Sequence, residues 1–175
     1  MHATILPRVE EDDWAATDLE HQVHLAGYEP GGERDKLNAA LRNSRASTLE
    51  ELIDIARPVS DQYDPSKWAI PNYRSTLAVA SLSTDTTLTL SDPPTVEMGL
   101  IVDPGLATVD KAAFNVLSVA GNVATFSAAP LAAGHGAGSV VKASLAPDGT
   151  HPSAQAHRLM AQEAIAAFVL LEGAS

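Results

Sequence analysis

The 175-residue chain contains no cysteine and few basic residues, and each shortage excludes a class of site. Without cysteine there is no disulfide framework, no thiolate zinc site and no thiol nucleophile. The 11 lysines and arginines face 22 acidic residues, for a net charge of −11. This balance argues against nucleic-acid binding, because phosphate neutralisation needs clustered basic side chains. No apolar run approaches the roughly 18 residues of a transmembrane helix, and residues 1–8 lack a signal-peptide pattern.

The chain is 45% hydrophobic, which is enough for a packed core. Its charge is unevenly distributed, since 14 of the 22 acidic residues lie in residues 1–74 and only five in residues 75–143. We interpret these shifts in composition as boundaries. The predicted organisation is therefore an α/β domain made of residues 1–74 and 144–175, interrupted by a β-rich insert over residues 75–143.

The first part of the chain has the pattern of an α/β unit. The apolar run at residues 3–6 predicts a buried strand. The spacing of Leu37 and Leu41 predicts a helix over residues 33–43, and residues 52–56 predict a second strand. Strand, helix and strand in this order predict a parallel pair with a helical crossover.

The insert has the pattern of short β-strands separated by turns. Strands are predicted at residues 77–82, 86–90, 99–102, 114–119, 123–126 and 139–142. Ala120, Gly121 and Asn122 predict a hairpin turn between two of them. Five or six such strands predict a small barrel or sandwich. After the insert, Ser153 is the expected N-cap of a last helix with an apolar stripe over residues 156–171.

One stretch, Asp148-Gly149-Thr150-His151-Pro152-Ser153, carries chemistry. It places a carboxylate and an imidazole three residues apart, in a tight turn before a helix. Such a turn can hold Asp148 against one ring nitrogen of His151 and leave the other nitrogen free as a general base. We therefore predict Asp148 and His151 as catalytic residues. The alternative is an Asx turn followed by a histidine at a helix start, with no catalytic role.

This stretch resembles the last block of the SGNH/GDSL hydrolase family, which is Asp-x-x-His-Pro followed by a helix. Residues 148–157 look like its D-G-x-H-P-S-x-x-x-H form. Three further stretches also resemble parts of the family, and they occur in the same order along the chain as in the family. Residues 4–8 resemble the strand and loop after its third block, residues 34–42 its R-x-x-x-N-x-x-L-R helix, and residues 52–56 the next strand.

The resemblance implies the C-terminal part of a flavodoxin-like α/β/α sandwich, into which a small all-β module is inserted. It also implies serine-dependent hydrolysis of an acyl or acetyl ester, such as one on a glycan. In that chemistry His151 is the base and Asp148 orients it. No cofactor is implied, and no membrane or nucleic acid is expected as a partner.

The family's nucleophile block, Gly-Asp-Ser, occurs nowhere in the chain. Its oxyanion blocks also lack a counterpart, so the chain resembles the C-terminal half of the domain. Three explanations stand open: a nucleophile half on a second chain, a gene product that starts late, or a degenerate half-domain kept for its structure. A homo-oligomer is also expected to cover exposed apolar edges. The insert resembles small β modules of phage virion proteins, so a non-enzymatic virion or surface protein is the alternative function.

The other histidines, tryptophans and serines have less specific patterns. His21 and His24 suggest a metal pair, but two histidines on an acidic surface are more often solvated, and no metal is predicted. His135 is interpreted as a turn residue and His157 as part of a polar helix face. Trp14 and Trp68 are expected to be buried anchors rather than sugar platforms. The poor nucleophile candidates are Ser44, Ser47 and Ser153, because none follows a strand within a glycine-supported turn.

Overall fold

The computed structural model describes residues 2–10, 17–44, 52–106, 109–110, 115–128, 131–147 and 150–172. The architecture is mixed α/β. The chain begins with β1 (His2–Ala3), a 3-10 turn (Leu19–His21), α1 (Glu33–Ser44) and β2 (Leu52–Ile53). Strands β1 and β2 pair in parallel with Ala3 opposite Ile53, and α1 lies between them in the chain, which confirms the predicted parallel pair with its helical crossover. The buried strand expected at residues 3–6 is wrong, because β1 covers only His2 and Ala3 and both are exposed.

Six short strands follow. They are β3 (Arg74–Thr76), β4 (Thr87–Thr89), β5 (Gly99–Val102), β6 (Ser118–Ala120), β7 (Val123–Thr125) and β8 (Val140–Ser144). They form two antiparallel three-stranded sheets, in the orders β3-β8-β5 and β4-β7-β6. The β6–β7 hairpin turns at Gly121, whose φ is 57°, and confirms the predicted turn.

The described strands do not close into a barrel, so that alternative for the insert is wrong. Single-residue bridges, such as Leu77 with Leu90 and Gly99 with Asn115, connect the two sheets. A barrel requires an unbroken ladder of hydrogen bonds around its circumference. Here the named strands form two separate three-stranded ladders, and single-residue bridges link one to the other.

The buried apolar residues form two clusters. The first draws on both three-stranded sheets and includes Leu77, Leu100 and Val141. The second includes Val9 and Trp68 from the first part of the chain, and it extends across residues 145–160. Trp68 is a buried anchor, as expected, whereas Trp14 lies outside the described residues. The division of the chain into two domains stays a prediction.

The last element is α2 (Ala154–Glu172), and it packs against β2. Ser153 caps it as predicted, because its Oγ accepts a hydrogen bond from the Ala156 N–H at 3.3 Å. The predicted stripe is buried at Ala156 and Met160, but Phe168 is 45% exposed. Within the described residues, no helix has the length and apolar character needed to span a membrane.

Candidate functional site

The structure places His151 on the surface, three residues before α2 begins. Asp148 lies outside the described residues, so its pairing with His151 stays a prediction. We call residues 145–153 the His151 loop. Its two ends are joined by a hydrogen bond from the Ser153 N–H to the Leu145 carbonyl, at 2.7 Å. His151 is therefore an exposed residue on a segment whose two ends are hydrogen-bonded to each other.

The first residue of β5, Gly99, forms the floor beneath the His151 loop. A Cβ atom added at Gly99 would lie 3.0 Å from Cγ of Pro147 and from the carbonyl oxygen of Ser144, and 3.2 Å from Cβ of Ser153. Such distances are tighter than ordinary van der Waals contact. The absence of a side chain at Gly99 thus allows both ends of the loop to rest on the sheet.

The start of α2 is held by hydrogen bonds from outside the helix. The first N–H groups of a helix have no partner within it. Here the Ala154 N–H donates to Oδ1 of Asn115 at 2.8 Å, and the Gln155 N–H donates to the Glu97 carbonyl at 3.0 Å. With Ser153 as the partner of Ala156, all three N–H groups are used. This helix terminus therefore offers no free donors to an oxyanion.

Helix α1 attaches through polar side chains to the segment that follows β1. Asn38 is 1% exposed, and its amide accepts from the Ile5 N–H at 2.8 Å and donates to the Ile5 carbonyl at 2.9 Å. Buried Arg34 donates to the same carbonyl through Nε at 3.0 Å. Leu37, which the sequence placed on the apolar face, is 47% exposed. The helix was correctly predicted, but its buried face is polar.

Exposed Arg42, four residues after Asn38, attaches α1 to the end of β2. Its Nε and Nη2 donate to the two carboxylate oxygens of Asp54 at 2.7 and 3.0 Å. Thr4 also donates to Asp54, at 2.8 Å. Burial raises the pKa of the Asp54 carboxyl, but the hydrogen bonds from Arg42 and Thr4 outweigh it and leave the pKa below its usual value. Three residues of the R-x-x-x-N-x-x-L-R stretch, Arg34, Asn38 and Arg42, therefore hold α1 in place.

His21 and His24, the predicted pair, have separate partners. Nδ1 of His21 lies 3.3 Å from an oxygen of Asp18, whereas Nε2 of His24 lies 2.8 Å from Oγ of Ser66. Ser66 also donates to the Asp64 carboxylate and is fully buried, so substrate has no access to its hydroxyl. The part of the chain that the structure describes holds no group of three or more metal-ligating side chains.

His135 is a buried histidine between two carboxylates, so its interpretation as a turn residue is wrong. Its Nδ1 lies 2.9 Å from Oδ2 of Asp103, and its Nε2 lies 3.4 Å from Oδ2 of Asp110. Burial raises the pKa of the Asp103 carboxyl. Hydrogen bonds from His135, Ser139 and the Val140 N–H have the larger opposite effect, so the pKa is below its usual value. The cluster joins loops that are far apart in sequence and is closed to substrate.

Among the described residues, two of the open clefts lie away from His151. One, of about 260 Å³, lies between α1, β2 and α2, and its charged groups are already paired as Arg42 with Asp54 and Arg57 with Glu163. The other, of about 330 Å³, is lined by Ile5, Tyr28 and Leu37 among others. His151 lines neither cleft. The predicted chemistry would therefore take place at the exposed surface around His151.

No protein-family model, curated protein or solved structure matches the chain. The resemblance to SGNH/GDSL hydrolases therefore depends on the sequence stretches quoted above.

Proposed function

We propose that this chain supplies the histidine and aspartate of an SGNH/GDSL-like ester hydrolase. The observation that carries the proposal is the surface position of His151, on a loop whose ends are fixed by Leu145, Gly99 and the start of α2. The parallel β1–β2 pair and the packing of α2 against β2 support it. We propose that these elements form the C-terminal part of a flavodoxin-like α/β/α sandwich carrying a β-rich insert.

The proposed chemistry is acyl transfer through a serine. The serine Oγ attacks the ester carbonyl carbon while its proton moves to His151. His151 then gives that proton to the leaving alcohol oxygen as the ester C–O bond breaks. Water hydrolyses the acyl-enzyme by the same proton transfers. The role of Asp148 is to orient the imidazole of His151, as the resemblance implies. The substrate is an acyl or acetyl ester, such as one on a glycan.

In this proposal the serine reaches His151 from a second chain carrying the Gly-Asp-Ser half. The exposed position of His151 supports this arrangement, since another protein surface has access to the imidazole. A second copy of the chain is the other candidate partner, but the sequence of this chain lacks Gly-Asp-Ser.

The alternative is a non-enzymatic phage virion or surface structural protein. Two observations favour it. The serine hydroxyl that contacts His24, that of Ser66, is fully buried. The N–H groups at the start of α2, beside His151, are used by the protein itself.

Hydrolysis of 4-nitrophenyl acetate by the purified chain, alone and mixed with the product of the gene directly upstream, tests the proposal. The decisive variant is His151→Ala, and His157→Ala is the matched control. His157 is also exposed and lies on the first turns of α2, so it corrects for the slow reaction of free imidazole with this ester. A general base contributes about 100-fold to 10,000-fold, so we expect a loss of that order in His151→Ala alone.

A fluorophosphonate probe, which labels activated serines, then identifies the chain that carries the nucleophile. Activity that depends on His151 in the mixture, with label on the added chain, supports a two-chain hydrolase. Two results overturn the hydrolase proposal and favour the structural protein: equal activity in the His151→Ala and His157→Ala variants, or no activity of the original chain either alone or in the mixture.

A further inference from the structure

The β-rich part of the chain supplies the hydrogen-bond acceptors that fix the start of α2. Asn115 accepts from the Ala154 N–H at 2.8 Å, and the carbonyl of Glu97 accepts from the Gln155 N–H at 3.0 Å. Both residues lie in the segment predicted as an insert. The orientation of α2, and of the residues directly before it, thus depends on a part of the chain that has no counterpart in the family the sequence resembles.

Glu97 makes contacts in three directions at once. Its N–H donates to the Val116 carbonyl at 2.7 Å, its carbonyl accepts from Gln155, and its carboxylate lies 2.8 Å from Nε of Arg158 on α2. Its φ is 73°, in the left-handed region that favours glycine. A non-glycine residue persists there only where the surrounding structure fixes it, and such residues are found preferentially at functional sites.

From these contacts we infer that Asn115 and Glu97 are positioning residues for His151. The inference rests on the proposed function. His151 lies three residues before Ala154, and Ser153 N–H closes the loop back onto Leu145. Releasing the Ala154 N–H therefore lets the end of the loop move relative to α2. Errors of about 1 Å in the position of a catalytic group cost up to about 100-fold in rate.

Asn115 allows a matched set of variants. Asn115→Ala removes the acceptor for the Ala154 N–H, whereas Asn115→Asp keeps an oxygen at the same place. Asn122→Ala is the control, because Asn122 is an exposed asparagine in the β6–β7 turn and donates to the Ser91 carbonyl, away from α2. In the active mixture, we expect Asn115→Ala to lower kcat about 10-fold to 100-fold with KM changed less than twofold. Asn115→Asp should restore kcat to within about threefold of the original.

A second readout keeps this inference separate from the proposed function. The ring resonances of His151 in a ¹H–¹³C NMR spectrum should shift in Asn115→Ala and stay in place in Asn122→Ala, whether or not the protein hydrolyses esters. If the His151 resonances shift in Asn115→Ala but no ester hydrolysis is found, the positioning of His151 is supported and the hydrolase proposal is rejected. Unshifted resonances, or an Asn115→Asp variant as impaired as Asn115→Ala, overturn the positioning.

Discussion

Truncation of Asn38 to alanine tests whether α1 is held to the segment after β1 by side-chain hydrogen bonds rather than by apolar packing. Asn38 is buried and uses both ends of its amide on the backbone of Ile5. The variant leaves the part-buried Ile5 N–H without this partner. A donor shielded from water costs about 1–3 kcal/mol when it is left unpaired, and the variant also removes a second bond worth about 1 kcal/mol. The Ile5 carbonyl keeps Arg34 as a donor.

The expected loss is therefore about 2–4 kcal/mol in the free energy of unfolding, or roughly 30-fold to 1,000-fold in the folding equilibrium. Urea unfolding followed by far-UV circular dichroism measures it, provided that the slope against urea stays constant. Asn43→Ala is the control, because Asn43 is exposed on the same helix and has the same change in helix propensity. Equal midpoints in the two variants would refute the polar attachment.

Two further predictions concern the β-rich part of the chain. Gly99→Ala should destabilise the protein by about 1–3 kcal/mol, because the added methyl overpacks the His151 loop. Gly136→Ala, where a Cβ meets no atom within 4 Å, should leave the melting temperature equal or slightly higher; a Gly99→Ala melt that matches it contradicts the tight contact. Because the folded pKa of Asp103 lies below its unfolded value of about 3.9, its stabilisation is present above that pH and is lost as pH falls through the folded pKa. The stability gap between the natural protein and Asp103→Asn should therefore narrow from pH 5 downward in urea titrations at about pH 7, 5, 4 and 3; a gap that stays constant over that range rejects the role of the ionised carboxylate.

The parts of the fold that the sequence predicted well are those that neighbouring residues determine. The β6–β7 hairpin follows from Gly121, since a positive φ is needed in the turn and glycine adopts it without strain. The start of α2 follows from Ser153, whose side chain caps a helix N–H three residues away. In each case the cause and its effect lie within a few positions of each other.

The parts that the sequence missed depend on partners far along the chain. Arg34 and Asn38 look like ordinary surface residues of a helix, and only the backbone of Ile5, about 30 residues earlier, makes them the buried face. His135 has the same difficulty, because its partners Asp103 and Asp110 precede it by 32 and 25 residues. A glycine-rich surrounding favoured a turn, and no local pattern indicated the two carboxylates.

The pairing of β3 with β8 has a consequence for how this chain is assembled. Arg74 lies opposite Lys142, and the Ala143 N–H donates to the Tyr73 carbonyl at 3.2 Å. The chain thus enters and leaves its β-rich part at neighbouring points, so a tight turn suffices to bridge the gap if everything between them is cut out. Yet the shortened protein loses the acceptors that Asn115 and Glu97 provide to α2. The topology thus allows the segment to be removed, but the start of α2 depends on hydrogen bonds that the segment provides.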